Sequence, residues 1–218
     1  MSKVLLSWSS GKDSAWTLHV LRRQGDMELV GLYTTLNEAA DRAAMHAVRR
    51  RLVERQAEAA GLPVDFIPLP QPCPNEAYEA AMSAFIETAR ARGVEGFAFG
   101  DLFLEDIRRY REESMRGSGI DPVFPIWGSD TSELAEQMVD AGLRAHITCL
   151  DPRTMPRRFA GRVFDRTLLG ELPPDVDPCG ENGEFHTFAF AGPMFRHPVE
   201  VRTGETVERD GFVFTDLL

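Results

Sequence analysis

The chain lacks an apolar run approaching the roughly 20 residues that a membrane-spanning helix needs, which argues against a membrane protein. It has few cysteines, only Cys73, Cys149 and Cys179, odd in number and far apart. They make no disulfide framework, and no Cys-x-x-Cys pair suggests a zinc or redox site. Basic residues are the minority, 24 against 34 acidic, for a net charge of −10. That balance disfavours broad nucleic-acid or membrane-surface binding. Low-complexity tracts and internal repeats are also missing. A signal peptide is not expected, since Lys3 is followed by only Val4-Leu5-Leu6 before Ser7, and the expected location is cytoplasmic.

What is present is an ordinary globular composition, 43% hydrophobic and 27% charged over 218 residues. Short β-rich runs alternate with helical patterns through the first half. Strands are predicted at 4–6, 29–35, 64–69, 97–99 and 122–127, and helices at 15–25, 45–60, 76–92 and 104–115. The region 37–44 reads as a loop. The order implies an α/β fold, a five-stranded parallel sheet with helices on both faces. In such sheets ligands bind beyond the carboxyl ends of the strands. The second half, from Gly128, reads as a smaller α+β domain. It has a helix near 134–139 and strands at 145–150 and 185–190. Segments 199–201 and 212–214 form an expected closing antiparallel pair, and 164–172 is ambiguous. The expected domains are 1–127 and 128–218.

Two stretches carry the chemistry. The first is Ser7-Trp8-Ser9-Ser10-Gly11-Lys12-Asp13-Ser14, directly after a strand and opening a helix. Unpaired N–H groups and the positive dipole end at such a helix start suit a phosphate, with Lys12 as a point charge and Ser9, Ser10 and Ser14 as hydroxyl donors. It is not a Walker A loop, because Leu6 stands where that pattern needs its first glycine and Asp13 follows the lysine. The bland alternative is an ordinary turn capped by Asp13 or Ser14. The second is Asp177-Pro178-Cys179-Gly180-Glu181-Asn182-Gly183-Glu184-Phe185-His186-Thr187. Two carboxylates three residues apart, an amide, an imidazole and a hydroxyl share this turn. Such a group can position a cation or take a proton from an attacking amine; a glycine-rich turn with solvated glutamates is the alternative.

The first stretch resembles the Ser-Gly-Gly-Lys-Asp-Ser loop of the PP-loop ATP pyrophosphatases, with Ser10 at a glycine position. Together with Met45-His46, Gly100-Asp101, Pro125-Ile126-Trp127 and the 179–187 motif, the chain resembles the diphthine–ammonia ligase family over essentially its whole length. The resemblance implies an adenine nucleotide alpha hydrolase-like PP-loop domain followed by a domain carrying the Gly-Glu-x-Gly-Glu motif. It implies a ligase that adenylates a carboxylate, releases pyrophosphate and transfers ammonia. Ser10, the Leu104-to-Arg109 stretch and His186 depart from archaeal and eukaryotic members and resemble the bacterial branch. For that branch the nucleotide chemistry transfers further than the protein substrate does.

The resemblance assigns ATP and Mg²⁺ as cofactors and ATP and ammonium as partners. The carboxylate acceptor is a small molecule or protein side chain of unknown identity. Neither nucleic acid nor membrane is expected, and a homodimer stays open. Ser9, Ser10, Gly11, Lys12, Asp13, Ser14, Thr34, Thr35, His46, Gly100 and Asp101 are the expected nucleotide residues, with Asp13 and Asp101 on the metal. Lys12, Asp13, Glu181 and Glu184 are the catalytic candidates, the two glutamates holding ammonium and accepting its proton. Asn182, His186 and Thr187 are expected to bind substrate. Two other readings are weighed: a different PP-loop adenylating activity, and a nucleotide-binding sensor that does not turn ATP over.

Overall fold

The computed structural model describes residues 1–43 and 48–218, so the expected contributions of Met45 and His46 lie outside the described residues. The first half runs β1 (Ser2–Ser7), α1 (Lys12–Gln24), β2 (Met27–Asn37), β3 (Arg42–Ala43), α2 (Arg50–Ala60) and β4 (Val64–Leu69). It continues with α3 (Asn75–Ala91), β5 (Gly96–Ala98), α4 (Glu105–Met115) and β6 (Asp121–Val123). Five of these strands pair in parallel in the order β4-β2-β1-β5-β6, as the alternation of strands and helices predicts. The short β3 adds an antiparallel pair to the end of β2, Leu36 opposite Ala43.

Central position explains the composition of β1. Val4, Leu5 and Leu6 are all buried, because helices cover both faces of the sheet. Successive side chains point to opposite faces. Leu5 accordingly packs with Tyr33, Ile86 and Phe97, while Leu6 joins a larger cluster with Trp8, Leu18 and Leu52. That larger cluster continues into the second half through Ile147, Phe188 and Val213.

The second half contains α5 (Thr131–Asp140), β7 (Arg144–Leu150), a 3-10 turn (Arg157–Phe159), α6 (Arg166–Glu171), β8 (Phe185–Ala191), β9 (Thr203–Arg209) and β10 (Phe212–Leu217). Its four strands form an antiparallel sheet ordered β8-β7-β10-β9.

Three expected elements shift. Among the described residues the helix expected from residue 45 begins at Arg50; Ala43 N–H donates to Val48 O (2.8 Å), Arg42 bridges Arg49, and Arg49 itself is extended. The strand expected over 122–127 pairs only at Asp121–Val123; it lies at the edge of its sheet, where Pro122 need not donate, and the chain turns after Phe124. The partner of β10 is β9, not 199–201. Nearly all of β9 is exposed, so no apolar alternation marks it.

Candidate active site

The loop between β1 and α1 is bent at Ser10, whose φ of 68° lies in the left-handed region that usually calls for glycine. Ser9 and Ser14 hydroxyls meet at 3.1 Å, and Ser14 Oγ donates to Gly11 O at 3.1 Å. Gln56, a fully buried residue of α2, holds the loop from behind. Its amide nitrogen donates to Ser10 O (3.0 Å) and Ala189 O (2.6 Å), and its oxygen accepts from Trp8 Nε1 (2.9 Å). Ala189 N–H donates in turn to Ser10 O at 2.9 Å. Strand β8 is thereby laid along the loop.

Two residues earlier on β8, Thr187 Oγ1 accepts the N–H of Lys12 at 3.0 Å. Gly11, at the N-cap position, offers α1 no side-chain acceptor, so the second sheet supplies one. Thr187 thus caps the helix.

Lys12 is 1% exposed, an unusual state for a lysine. Its Nζ donates to both Asp13 oxygens (2.8 and 2.9 Å) and to Cys179 O, and lies 5.5 and 5.4 Å from the Phe164 and Phe185 ring centres. Burial opposes the charge, but Asp13, with smaller help from Cys179 and Glu181, raises the pKa. An ammonium has three N–H donors, and all three are engaged within the protein.

The 177–187 turn closes over the loop. Gly180 has φ 69°, and a Cβ there would sit 2.9 Å from Phe185 O, so the position requires glycine. Glu181 Oε1 accepts from Leu102 N–H (2.8 Å), and Glu181 N–H donates to Asp177 Oδ2 (2.9 Å). Burial pushes the Glu181 carboxyl up to about 7, with nearby Asp13 adding to it against the Leu102 hydrogen bond. Glu184 is buried in its own turn, Oε1 accepting from Asp177 N–H (3.0 Å) and Asn182 Nδ2 (3.1 Å). The expected catalytic and substrate residues therefore divide. Glu181, His186 and Thr187 line the same cleft as Lys12 and Asp13; Glu184 and Asn182 do not. Burial, and then Lys12, lowers the His186 pKa.

That cleft encloses about 770 Å³ above the carboxyl ends of β1, β2 and β5. Ser9, Ser14, Thr34, Thr35, Gly100 and Asp101 all line it, as expected; Ser10 and Gly11 do not. A Cβ on Gly100 would sit 3.1 Å from Asp13 C and Ser14 N, so its lack of a side chain lets this loop abut the first turn of α1. Asp101 is bound by Arg111, Nε to Oδ2 at 2.5 Å and Nη2 to Oδ1 at 3.2 Å, and the guanidinium lies 4.3 Å from the Phe99 ring centre. Burial disfavours the Arg111 cation, yet Asp101 outweighs it and raises the pKa.

Both carboxylates expected to hold Mg²⁺ are thus already paired with cations, Asp13 with Lys12 and Asp101 with Arg111. Among the described residues no group of three His, Cys, Asp or Glu side chains gathers as a metal site. This donor set does not fit a protein-held ion. The sequence reading missed Gln56 and Arg111, and also that all three of the chain's tyrosines, Tyr33, Tyr78 and Tyr110, line the cleft. A polar residue at a position that keeps helical step with buried Leu52, Val53 and Ala60 was the available signal for Gln56.

A family model described as the diphthamide synthase N-terminal domain matches residues 2–122, and one described as the diphthamide synthase C-terminal domain matches 130–215. A diphthine–ammonia ligase of Bos taurus is 25% identical over 228 residues, covering 94% of this chain and 85% of the relative. The Homo sapiens diphthine–ammonia ligase is 24% identical over 221 residues, covering 91% and 82%. That of Rattus norvegicus is 27% identical over 125 residues, covering 52% and 45%. No helix among the described residues is long and apolar enough to cross a membrane.

Proposed function

The chain belongs to the diphthamide synthase family, and from that premise we propose that it is an ATP-dependent carboxylate–ammonia ligase forming AMP and pyrophosphate. In this reading residues 1–127 activate with ATP and residues 128–218 bring the amine side of the site. The observation that carries it is that Glu181, a half-buried carboxylic acid, lines the same cleft as Ser9, Lys12, Asp13 and Ser14.

The reaction balances in two steps. An acceptor carboxylate oxygen attacks the α-phosphorus of ATP, and the bond to the β-phosphate bridging oxygen breaks, releasing pyrophosphate. Ammonia then attacks the acyl carbon of the mixed anhydride, AMP leaves, and nitrogen gives up one proton. The α1 N-terminus and the Ser9 and Ser14 hydroxyls stabilise phosphate charge. Thr34 and Thr35 meet the adenosine. Lys12, buried and fully bonded, ties Asp13 to the Cys179 carbonyl and so registers one half of the site on the other. Glu181 holds ammonium and accepts the proton whose loss frees ammonia, because a carboxyl near pH 7 exchanges protons efficiently there, and the proton lost after attack passes to water. Glu184 and Asn182 brace the turn that carries it. No step is routed through a metal ion.

Product analysis tests the proposal. AMP and pyrophosphate in equal amounts, dependent on both ammonium and a carboxylate, are expected; ADP with phosphate, or no turnover, would overturn it. Glu181→Gln is expected to keep ATP binding and lose the amide product.

A further inference from the structure

Residues of α3 and α4 line one side of the cleft, hereafter its α3–α4 lobe. Among the described residues two permanently charged cations line the cleft, Lys12 and Arg111. All three Lys12 donors are spent within the protein. Arg111 uses Nε and Nη2 on Asp101, and its Nη1 edge makes no hydrogen bond to the described residues. A guanidinium carries five N–H donors in a fork that matches a carboxylate, so Arg111 can accept a second anion beside Asp101. Its position suits the first step: Gly100 abuts the first turn of α1, and Asp101 follows it, which brings the Asp101–Arg111 pair beside the phosphate loop.

Beyond Arg111 the lobe is aromatic and apolar. Tyr33, Tyr78 and Tyr110 line it with Met82, Phe99 and Ile107. Tyr110 and Ile107, 46% and 36% exposed, put apolar surface on this side of the cleft among exposed polar neighbours. Glu79 and Glu113, also lining the cleft and exposed, would repel a second negative group.

We infer that this lobe receives the acceptor, and that the acceptor is a monocarboxylic acid with an aromatic or extended apolar body, its carboxylate on Arg111. This rests on the ligase reading for its chemistry. The lobe and its anchor stand on geometry alone, so binding and turnover test them separately.

The experiment pairs ATP–pyrophosphate exchange with calorimetric binding in the presence of α,β-methylene ATP, using 3-phenylpropionate, hexanoate, acetate and glutamate. Expected are exchange and binding with 3-phenylpropionate and hexanoate at KM and Kd values about tenfold or more below those for acetate and glutamate. Arg111→Met is expected to raise the 3-phenylpropionate Kd by about tenfold or more, with the ATP KM changing by less than about twofold. Arg111→Lys keeps the charge that Asp101 needs and guards against misfolding; it is expected to recover part of the affinity. Tyr110→Ala is expected to lower the preference for 3-phenylpropionate over acetate. A rise in ATP KM instead would assign Arg111 to the nucleotide and overturn the inference. Binding of 3-phenylpropionate without exchange keeps the lobe and removes the ligase reading. Equal exchange with acetate, glutamate and 3-phenylpropionate keeps the ligase reading and overturns the lobe. Neither binding nor exchange overturns both.

Discussion

The backbone N–H of Lys12 donates to Thr187 Oγ1 at 3.0 Å, across 175 residues of chain. The first donor of α1 is capped by a strand of the other sheet. This bond and the one from Ala189 N–H to Ser10 O are two rungs by which β8 holds the loop. The loop's shape is therefore a property of both halves of the chain.

Thr187→Val keeps the side-chain shape and removes the acceptor. It leaves a buried N–H unsatisfied and is expected to cost about 1–3 kcal/mol of stability. ATP affinity should fall with it. Urea denaturation and ATP titration read the two effects, and Thr187→Ser should restore most of both.

Gln56 serves three buried groups, so Gln56→Leu is expected to cost about 3 kcal/mol or more. Gln56→Glu is a sharper test of positioning. The neutral acid can still donate to one carbonyl, whereas the carboxylate faces two carbonyl oxygens and is repelled. ATP affinity of this variant should therefore drop as pH rises, in a profile that the parent protein does not show.

Ser10 has a left-handed backbone and a buried hydroxyl oxygen without a hydrogen-bond partner among the described residues. Ser10→Gly removes both costs, and against the extra backbone entropy of glycine it is expected to gain about 0.5–1 kcal/mol. Ser10→Val, branched where φ is positive, should lose at least about 1–2 kcal/mol. Thermal melts of the two variants should move in opposite directions.

The Glu181 carboxyl, raised from 4.5 to about 7, gives a pH signature with a definite sign. The folded state binds this proton more tightly than the unfolded chain. The group's stabilising contribution is therefore full below pH 4.5 and is lost as pH rises through about 7. Glu181→Gln should flatten that slope. Activity should run the other way, since the base must be ionised. Amidation measured against free ammonia should rise with pH and level off above about 7.

The parallel sheet was legible because its strands are buried on two faces. Val4-Leu5-Leu6 and the alternation of strands with helices leave little choice of topology. Strand β9 was not legible. An exposed edge strand has no face to bury and so carries no periodic signal. Gln56 was hidden for a related reason. Its value lies in three partners that sequence spacing does not bring together, at Trp8, Ser10 and Ala189.

The strand end and helix start that flank the Ser7–Ser14 loop were determined locally, though its shape was not. A strand end, a tight turn and a helix start follow from neighbouring residues, so a phosphate-type cradle could be read from sequence and its helix begins at Lys12 as the motif requires. What each charged group does was decided only by tertiary structure. Lys12 reads as a phosphate ligand until the fold surrounds it with Asp13, the Cys179 carbonyl and two phenylalanine rings. Glu181 and Glu184 are equivalent in sequence. The fold places the first in the cleft and buries the second away from it, held by the amides of its own turn. Charge and hydrogen-bonding capacity belong to the residue. Desolvation and partner geometry belong to the fold, and at this site they decide which groups remain available to a ligand.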